Sequence, residues 1–155
     1  MENIENGRSP SSATGRLGGK VALIIGGGTG IGEAAARMFA RAGACVVIGD
    51  IREGAAGKVA DDIIAGGGQA IGVHTNVLLE DSVKAVVDAA VARFGGLHAL
   101  FNCAGGSLPE DAPVTEVDLS VWDQTMSLDV RGTILSCHHA IPTLIASGGG
   151  TVVNM

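Results

Sequence analysis

Residues 21–39 read VALIIGGGTGIGEAAARMF and carry the strongest structural signal in this chain of 155 residues. An apolar run ends at Ile25, a glycine-rich turn follows, and a helical pattern begins near Gly30. Glycines allow positive φ and let the backbone approach a ligand where a Cβ would block it. The first turn of a helix offers free N–H groups and the positive end of the helix dipole, which together suit a pyrophosphate. The stretch therefore predicts a strand–turn–helix unit that binds a phosphate-bearing ligand, rather than a plain tight turn.

The rest of the chain alternates short apolar runs with longer helical patterns. The apolar runs are rich in β-branched residues and continuous, which is typical of strands covered on both faces in a parallel sheet. The five runs are KVALII, ACVVIG, QAIGV, LHALFN and TVVNM. This alternation predicts an α/β fold with a doubly wound parallel sheet and right-handed crossovers.

Helical periodicity places the connecting elements. A helix follows the glycine turn and ends near Gly43, a weaker helix spans residues 54–65, and a third ends at Gly95. A long helix is predicted over residues 119–146, where Pro142 is expected to bend or end it. Residues 1–16 are predicted to be a mobile polar leader, and residues 17–155 to be one domain without an internal linker.

Composition and charge argue against several classes of protein. The chain is 46 % hydrophobic and 17 % charged, as expected for a compact α/β domain. A net charge of −6 argues against a general nucleic-acid binder, and no apolar run approaches the roughly 20 residues of a membrane span. The first 16 residues lack the apolar segment of a signal peptide, so a cytoplasmic location is expected.

The cysteines and the paired histidines are interpreted as structural. Cys45, Cys103 and Cys137 are far apart and have apolar neighbours, which predicts buried free thiols in a reducing compartment. His138 and His139 are adjacent and would point about 100° apart on a helix. Since ligands on one helix face need i,i+4 spacing, no metal site is predicted.

Asp50 at the end of the second strand points to a particular cofactor. It lies 20 residues after Gly30, where a carboxylate can accept hydrogen bonds from an adenosine ribose 2′-hydroxyl. A phosphate about 4 Å away would be repelled by roughly 4 kcal/mol per unit charge at an effective dielectric of about 20. We therefore predict NAD rather than NADP. Thr29 supplies no cation to offset the repulsion, and the side chain of Arg52 is expected to be solvated.

Three ordered motifs, the glycine turn, NCAG at residues 102–105 and the LDVRG stretch, together resemble the short-chain dehydrogenases/reductases, including the NAD-dependent alcohol dehydrogenases of plants and bacteria. The resemblance covers residues 17–155 and implies a Rossmann sheet with strand order 3-2-1-4-5 that stops before the family's sixth and seventh strands. It implies that Ile31 touches the pyrophosphate through its backbone and that Asn76 and Val77 flank the adenine. The residues implied or predicted to bind the cofactor are Gly26, Gly28, Thr29, Gly30, Ile31, Gly32, Asp50, Ile51, Asn76, Val77, Asn102, Ala104 and Gly105. A side chain at Gly26 is expected to occupy the space where backbone meets pyrophosphate.

The chain departs from the family pattern at three positions. Ile25 stands where the family has a threonine that ties the glycine loop, and Asn76 where it has an aspartate near the adenine. Asp129 stands at the position of the asparagine that holds a water in the family's proton relay. Asp129 is therefore the candidate catalytic residue that the resemblance implies.

In the family, the strand that matches TVVNM precedes a catalytic serine, a Y-x-x-x-K helix, two further strands and the substrate-binding region. This chain contains no tyrosine. We therefore expect the NAD(H)-binding portion of an oxidoreductase acting on an alcohol or carbonyl compound, inactive by itself. Self-association through the long helix or the fifth strand is also expected. A non-catalytic NAD-binding or interaction module and a methyltransferase are the alternatives.

Overall fold

The computed structural model describes residues 15–155, so most of the predicted leader lies outside the described residues. Within them, five parallel strands form one sheet in the order β3-β2-β1-β4-β5, which confirms the predicted doubly wound fold. The strands are β1 (Val21–Ile25), β2 (Cys45–Asp50), β3 (Gln69–His74), β4 (Ala99–Asn102) and β5 (Thr151–Asn154).

Burial along the strands follows their place in the sheet. All five residues of β1 are buried, and so are the residues of β2 after Cys45. Because these strands lie at the centre with helices on both sides, their apolar character is continuous. The outer strands β3 and β5 keep several exposed residues, and Val153 of β5 is 49 % exposed.

Helices cover both faces of the sheet. One face packs against α1 (Gly30–Arg41) and α2 (Ala55–Ala65). The other packs against α3 (Glu80–Phe94) and α5 (Gly132–Ala146). Among the residues described, no helix combines the length and apolar content needed to cross a membrane.

The long helix is interrupted in a way that its periodicity does not predict. It runs as α4 (Leu119–Met126), a π-helical segment (Ser127–Arg131) and then α5. Its outer limits match the predicted residues 119–146. Pro142 lies inside α5, which continues to Ala146. Of the two expected effects of this proline, bending or ending the helix, the second is wrong.

Candidate functional site

A groove of about 360 Å³ opens at the carboxyl ends of the central strands, beside the glycine-rich turn. In a doubly wound sheet ligands bind at the point where the strand order reverses, which here lies between β1 and β4. The groove brings together nine of the thirteen predicted cofactor residues: Gly26, Thr29, Ile31, Asp50, Ile51, Asn76, Val77, Ala104 and Gly105.

Asp50, the last residue of β2, binds the glycine turn through a side-chain hydrogen bond. Its side chain is only 4 % exposed, and its Oδ2 accepts a hydrogen bond of 2.8 Å from the backbone N–H of Gly28. A Cβ at Gly28 would lie 2.7 Å from the Asp50 carboxyl group, so the turn approaches this closely only because residue 28 is glycine. Gly28 thus acts through Asp50 and does not itself line the groove.

Arg52 is not simply solvated, contrary to the expectation from sequence. Its backbone N–H donates to Asp50 Oδ1 at 2.9 Å, and its Nε lies 3.4 Å from the same oxygen. The guanidinium also donates to the hydroxyl of Thr29. Since 58 % of the Arg52 side chain stays exposed, it forms a partly solvated cationic rim on the groove beside the carboxylate.

Gly26 lies where the backbone leaves no room for a side chain. Its φ is +82°, and a Cβ there would lie 2.6 Å from the backbone nitrogen of Ala104. The space that a side chain would need is therefore filled by the chain after β4. Gly26 also lines the groove, and its contact with a pyrophosphate stays a prediction. Gly32 behaves similarly, since its Cβ would lie 2.0 Å from the carbonyl oxygen of Gly26. Gly30 has φ +58° and open space around it, so only its backbone conformation favours glycine.

Asn102 lies beneath the groove and does not line it. The residue is 3 % exposed, and its Nδ2 donates to Oδ1 of Asn154 at 2.8 Å, across the β4–β5 pair. Among the described residues its own Oδ1 has no hydrogen-bond partner. The role of Asn102 in binding the cofactor, which the family resemblance implies, stays a prediction.

Asp129 holds the loop after β4. It lies in the π-helical segment, and its Oδ1 accepts a hydrogen bond of 2.9 Å from the backbone N–H of Gly106. A Cβ at Gly105 would lie 2.7 Å from the same oxygen. The carboxylate thus positions the glycine pair that closes one end of the groove, and it does not line the groove itself.

Asn76 shapes the turn after β3. Its Oδ1 accepts from the backbone N–H of Leu78 at 2.9 Å, and its own N–H donates to the hydroxyl of Ser82 at 2.9 Å. Val77 is buried in the core although it also reaches the groove. The pair therefore forms a fixed wall at the β3 end of the groove.

Five further residues line the groove without having been predicted: Thr75, Leu78, Cys103, Leu128 and Met155, in addition to Ile25 and Arg52 from the motifs. Cys103 lies inside the NCAG motif, so its neighbours could have indicated it. All three cysteines are half-buried free thiols, not fully buried ones. Burial raises the pKa of the Cys103 thiol, and a hydrogen bond from the backbone of Gly32 opposes this in part.

The groove combines three features along its length. It has a carboxylate at one end, a glycine turn and helix N-terminus in the middle, and the loop of Ala104 and Gly105 at the other. The backbone N–H groups at the start of α1 are suited to phosphate oxygens, and the carboxylate to ribose hydroxyls.

The strand order and the two helical layers define a Rossmann-type α/β protein. The sequence profile of the short chain dehydrogenase family matches residues 20–155, and the chain belongs to this family. Members of the family bind a nicotinamide dinucleotide and small substrates.

Individual relatives agree with this assignment. Cyclohexanol dehydrogenase of Acinetobacter sp. (strain SE19) is 39 % identical over 139 residues, which cover 90 % of this chain and 55 % of that protein. Xanthoxin dehydrogenase of Arabidopsis thaliana is 36 % identical over 155 residues, which cover 99 % of this chain and 54 % of that protein. A short-chain type dehydrogenase/reductase from Mycobacterium ulcerans superposes with a TM-score of 0.82 at 33 % identity, over 88 % of this chain and 50 % of that one. The chain spans about half the length of these relatives.

Proposed function

We propose that this chain is the NAD(H)-binding portion of an oxidoreductase that transfers a hydride between NAD and an alcohol or carbonyl compound. The observation that carries the proposal is the Asp50 carboxylate, which faces the groove and is fixed by the Gly28 N–H at 2.8 Å. In this proposal the ribose hydroxyls of the adenosine donate to Asp50, and the turn before α1 receives the pyrophosphate. The loop of Ala104 and Gly105 borders the nicotinamide ribose.

The preference for NAD follows from the charge at Asp50, moderated by Arg52. A 2′-phosphate would meet the carboxylate at short range, which disfavours NADP. The guanidinium of Arg52, 3.4 Å from Asp50 Oδ1, offsets part of that charge. We therefore expect a preference for NAD of about tenfold or more, equivalent to about 1.4 kcal/mol.

When bound, the nicotinamide ring would accept or donate the hydride. The residues of this chain would bind the cofactor and orient the ring. Proton transfer at the substrate needs a separate acid–base group, and loss of one such group costs about 10²–10⁴ in rate. The chain contains no tyrosine, so we propose that it does not catalyse the reaction by itself.

Cyclohexanol, in the name of one relative, is a secondary alcohol, and we propose that substrate class for the whole protein. Three free thiols support a reducing compartment such as the cytoplasm.

Calorimetric titration with NAD, NADP and S-adenosylmethionine tests this proposal. We expect NAD to bind at least tenfold more tightly than NADP, and S-adenosylmethionine not to bind. Arg52→Gln should increase the difference in affinity between NAD and NADP, because it removes the cation beside Asp50. Equal affinities for NAD and NADP in the unmodified chain would contradict the cofactor assignment. Reduction of NAD with secondary alcohols, persisting after rigorous purification, would contradict the proposed inactivity.

A further inference from the structure

A second cluster of polar side chains lies where α3 meets α5, separate from the groove lining. Glu80 is the first residue of α3, and His138 and His139 lie on α5. One ligand atom from each of these three residues lies within 4.8 Å of the other two. The two imidazole rings are perpendicular, with centroids 4.9 Å apart.

One edge of this cluster already has the spacing of a metal site. Nε2 of His139 lies 3.3 Å from Oε1 of Glu80. Zinc bonds to nitrogen and oxygen of about 2.0–2.2 Å in a tetrahedron place two ligand atoms about 3.3–3.5 Å apart. His138 is exposed, so its ring is free to turn toward the other two ligands.

His139 has an unsatisfied nitrogen that faces this position. Its side chain is 16 % exposed, and among the described residues its buried Nε2 has no hydrogen-bond partner. The oxygen of Glu80 is within ion-pair distance, but the two groups are not aligned for a hydrogen bond. A buried polar atom without a partner destabilises the fold, and a bound cation would give this nitrogen a partner.

We propose that Glu80, His138 and His139 form a binding site for a divalent transition metal, with Zn²⁺ as the best match. Two imidazoles and one carboxylate suit Zn²⁺ better than Mg²⁺ or Ca²⁺, which prefer oxygen ligands. Three protein ligands leave a fourth position for water. Because the ligands come from two helices, the metal joins the start of α3 to α5.

The spacing rule that led to the prediction of no metal site considered one helix only. The adjacent histidines point about 100° apart on α5, but a ring nitrogen of each still lies within 4.8 Å of a Glu80 oxygen from the neighbouring helix. Helices α3 and α5 pack against each other on one face of the sheet. Sequence spacing alone could not indicate this pairing, because the residues are 58 positions apart (138 − 80).

Titration of the untagged full chain with Zn²⁺, followed by calorimetry and thermal melting, tests the site. We expect one Zn²⁺ per chain and a higher melting temperature. Co²⁺ in place of Zn²⁺ should give the visible absorption of a tetrahedral complex. His138→Ala and Glu80→Gln alter exposed side chains, and each should weaken Zn²⁺ binding by at least about tenfold. Circular dichroism checks that each variant is folded.

His74→Ala is the matched control, because His74 is an exposed histidine on β3 outside the cluster. It should bind Zn²⁺ as the unmodified chain does. Equal affinity in the His138, Glu80 and His74 variants would overturn the proposal. A thiolate-to-cobalt charge-transfer band that disappears in Cys137→Ser would also overturn it, because cysteine would then be a ligand.

Discussion

The Oδ2 of Asp50 and the backbone nitrogen of Gly28 are 2.8 Å apart, and this hydrogen bond links the end of β2 to the turn that follows β1. The carboxylate that is proposed to receive the ribose is therefore also the group that fixes the turn proposed to receive the pyrophosphate. A change at Asp50 acts on both halves of the cofactor, and its effects on NAD and NADP must be measured together.

Asp50→Asn should weaken NAD binding and narrow the difference between NAD and NADP by about tenfold, which is about 1.4 kcal/mol. The amide keeps the shape of the side chain but removes the charge that disfavours a 2′-phosphate. It also replaces one acceptor oxygen by an NH2 group, so one of the two hydrogen bonds from the N–H groups of Gly28 and Arg52 is lost. Calorimetry with both cofactors measures the change. Glu53→Gln, an exposed acid outside the groove lining, alters the net charge equally and should leave both affinities unchanged. The assignment fails if the ratio of affinities moves as far in Glu53→Gln as in Asp50→Asn.

Gly26→Ala should destabilise the chain more than Gly30→Ala does, with no cofactor present. Both residues have positive φ, which costs a non-glycine residue about 1–2 kcal/mol. Only at Gly26 would the new Cβ also meet backbone, at 2.6 Å from Ala104 nitrogen. Gly30→Ala should lower the melting temperature by about 2–8 °C, and Gly26→Ala by clearly more or to the point of unfolding. Equal melting temperatures would show that the loop after β4 yields easily.

The Cys103 thiol reports on occupancy of the groove. Alkylation requires the thiolate, and burial raises the pKa of Cys103, so its reaction at neutral pH should be slow and should accelerate as pH rises. NAD at ten times its Kd should slow the reaction about tenfold, since only the free form reacts. Mass spectrometry after alkylation gives the rate at each cysteine. Cys45 lies outside the groove lining and should react at the same rate with and without NAD; protection of both thiols would point to a general tightening of the fold instead.

Self-association should depend on the exposed face of α5. Ile134 and Ile145 are 61 % and 70 % exposed, although both are large apolar side chains. Ile145→Lys should reduce light scattering at a given concentration, because it places a charge on that face. Val114→Lys is the control, since Val114 is 92 % exposed and lies on the loop before α4. If both variants scatter equally, α5 is not the contact.

The sheet could be predicted from the sequence because apolar runs and glycine punctuation are local signals. The strand–turn–helix unit at residues 21–39 and the end of β2 at Asp50 followed from spacing alone. The roles of Asn102 and Arg52 could not be predicted from the sequence, because each depends on partners that only the folded chain brings near. Asn102 pairs with Asn154 on the next strand, and Arg52 reaches back to Thr29. The π-helical segment could not be predicted either, since its side chains are compatible with an ordinary α-helix.

That π-helical segment, Ser127–Arg131, changes the rotational phase of the helix that contains it. A π turn holds about one residue more than an α turn, so α5 is rotated by about 100° from the phase that an unbroken α4 would give it. The two helices also differ in burial: α5 buries Gly132, Ser136, Ala140 and Leu144, whereas α4 buries none of its residues. A side chain on α4 such as Trp122 therefore cannot be assigned to the same face as one on α5 by counting in steps of three and four.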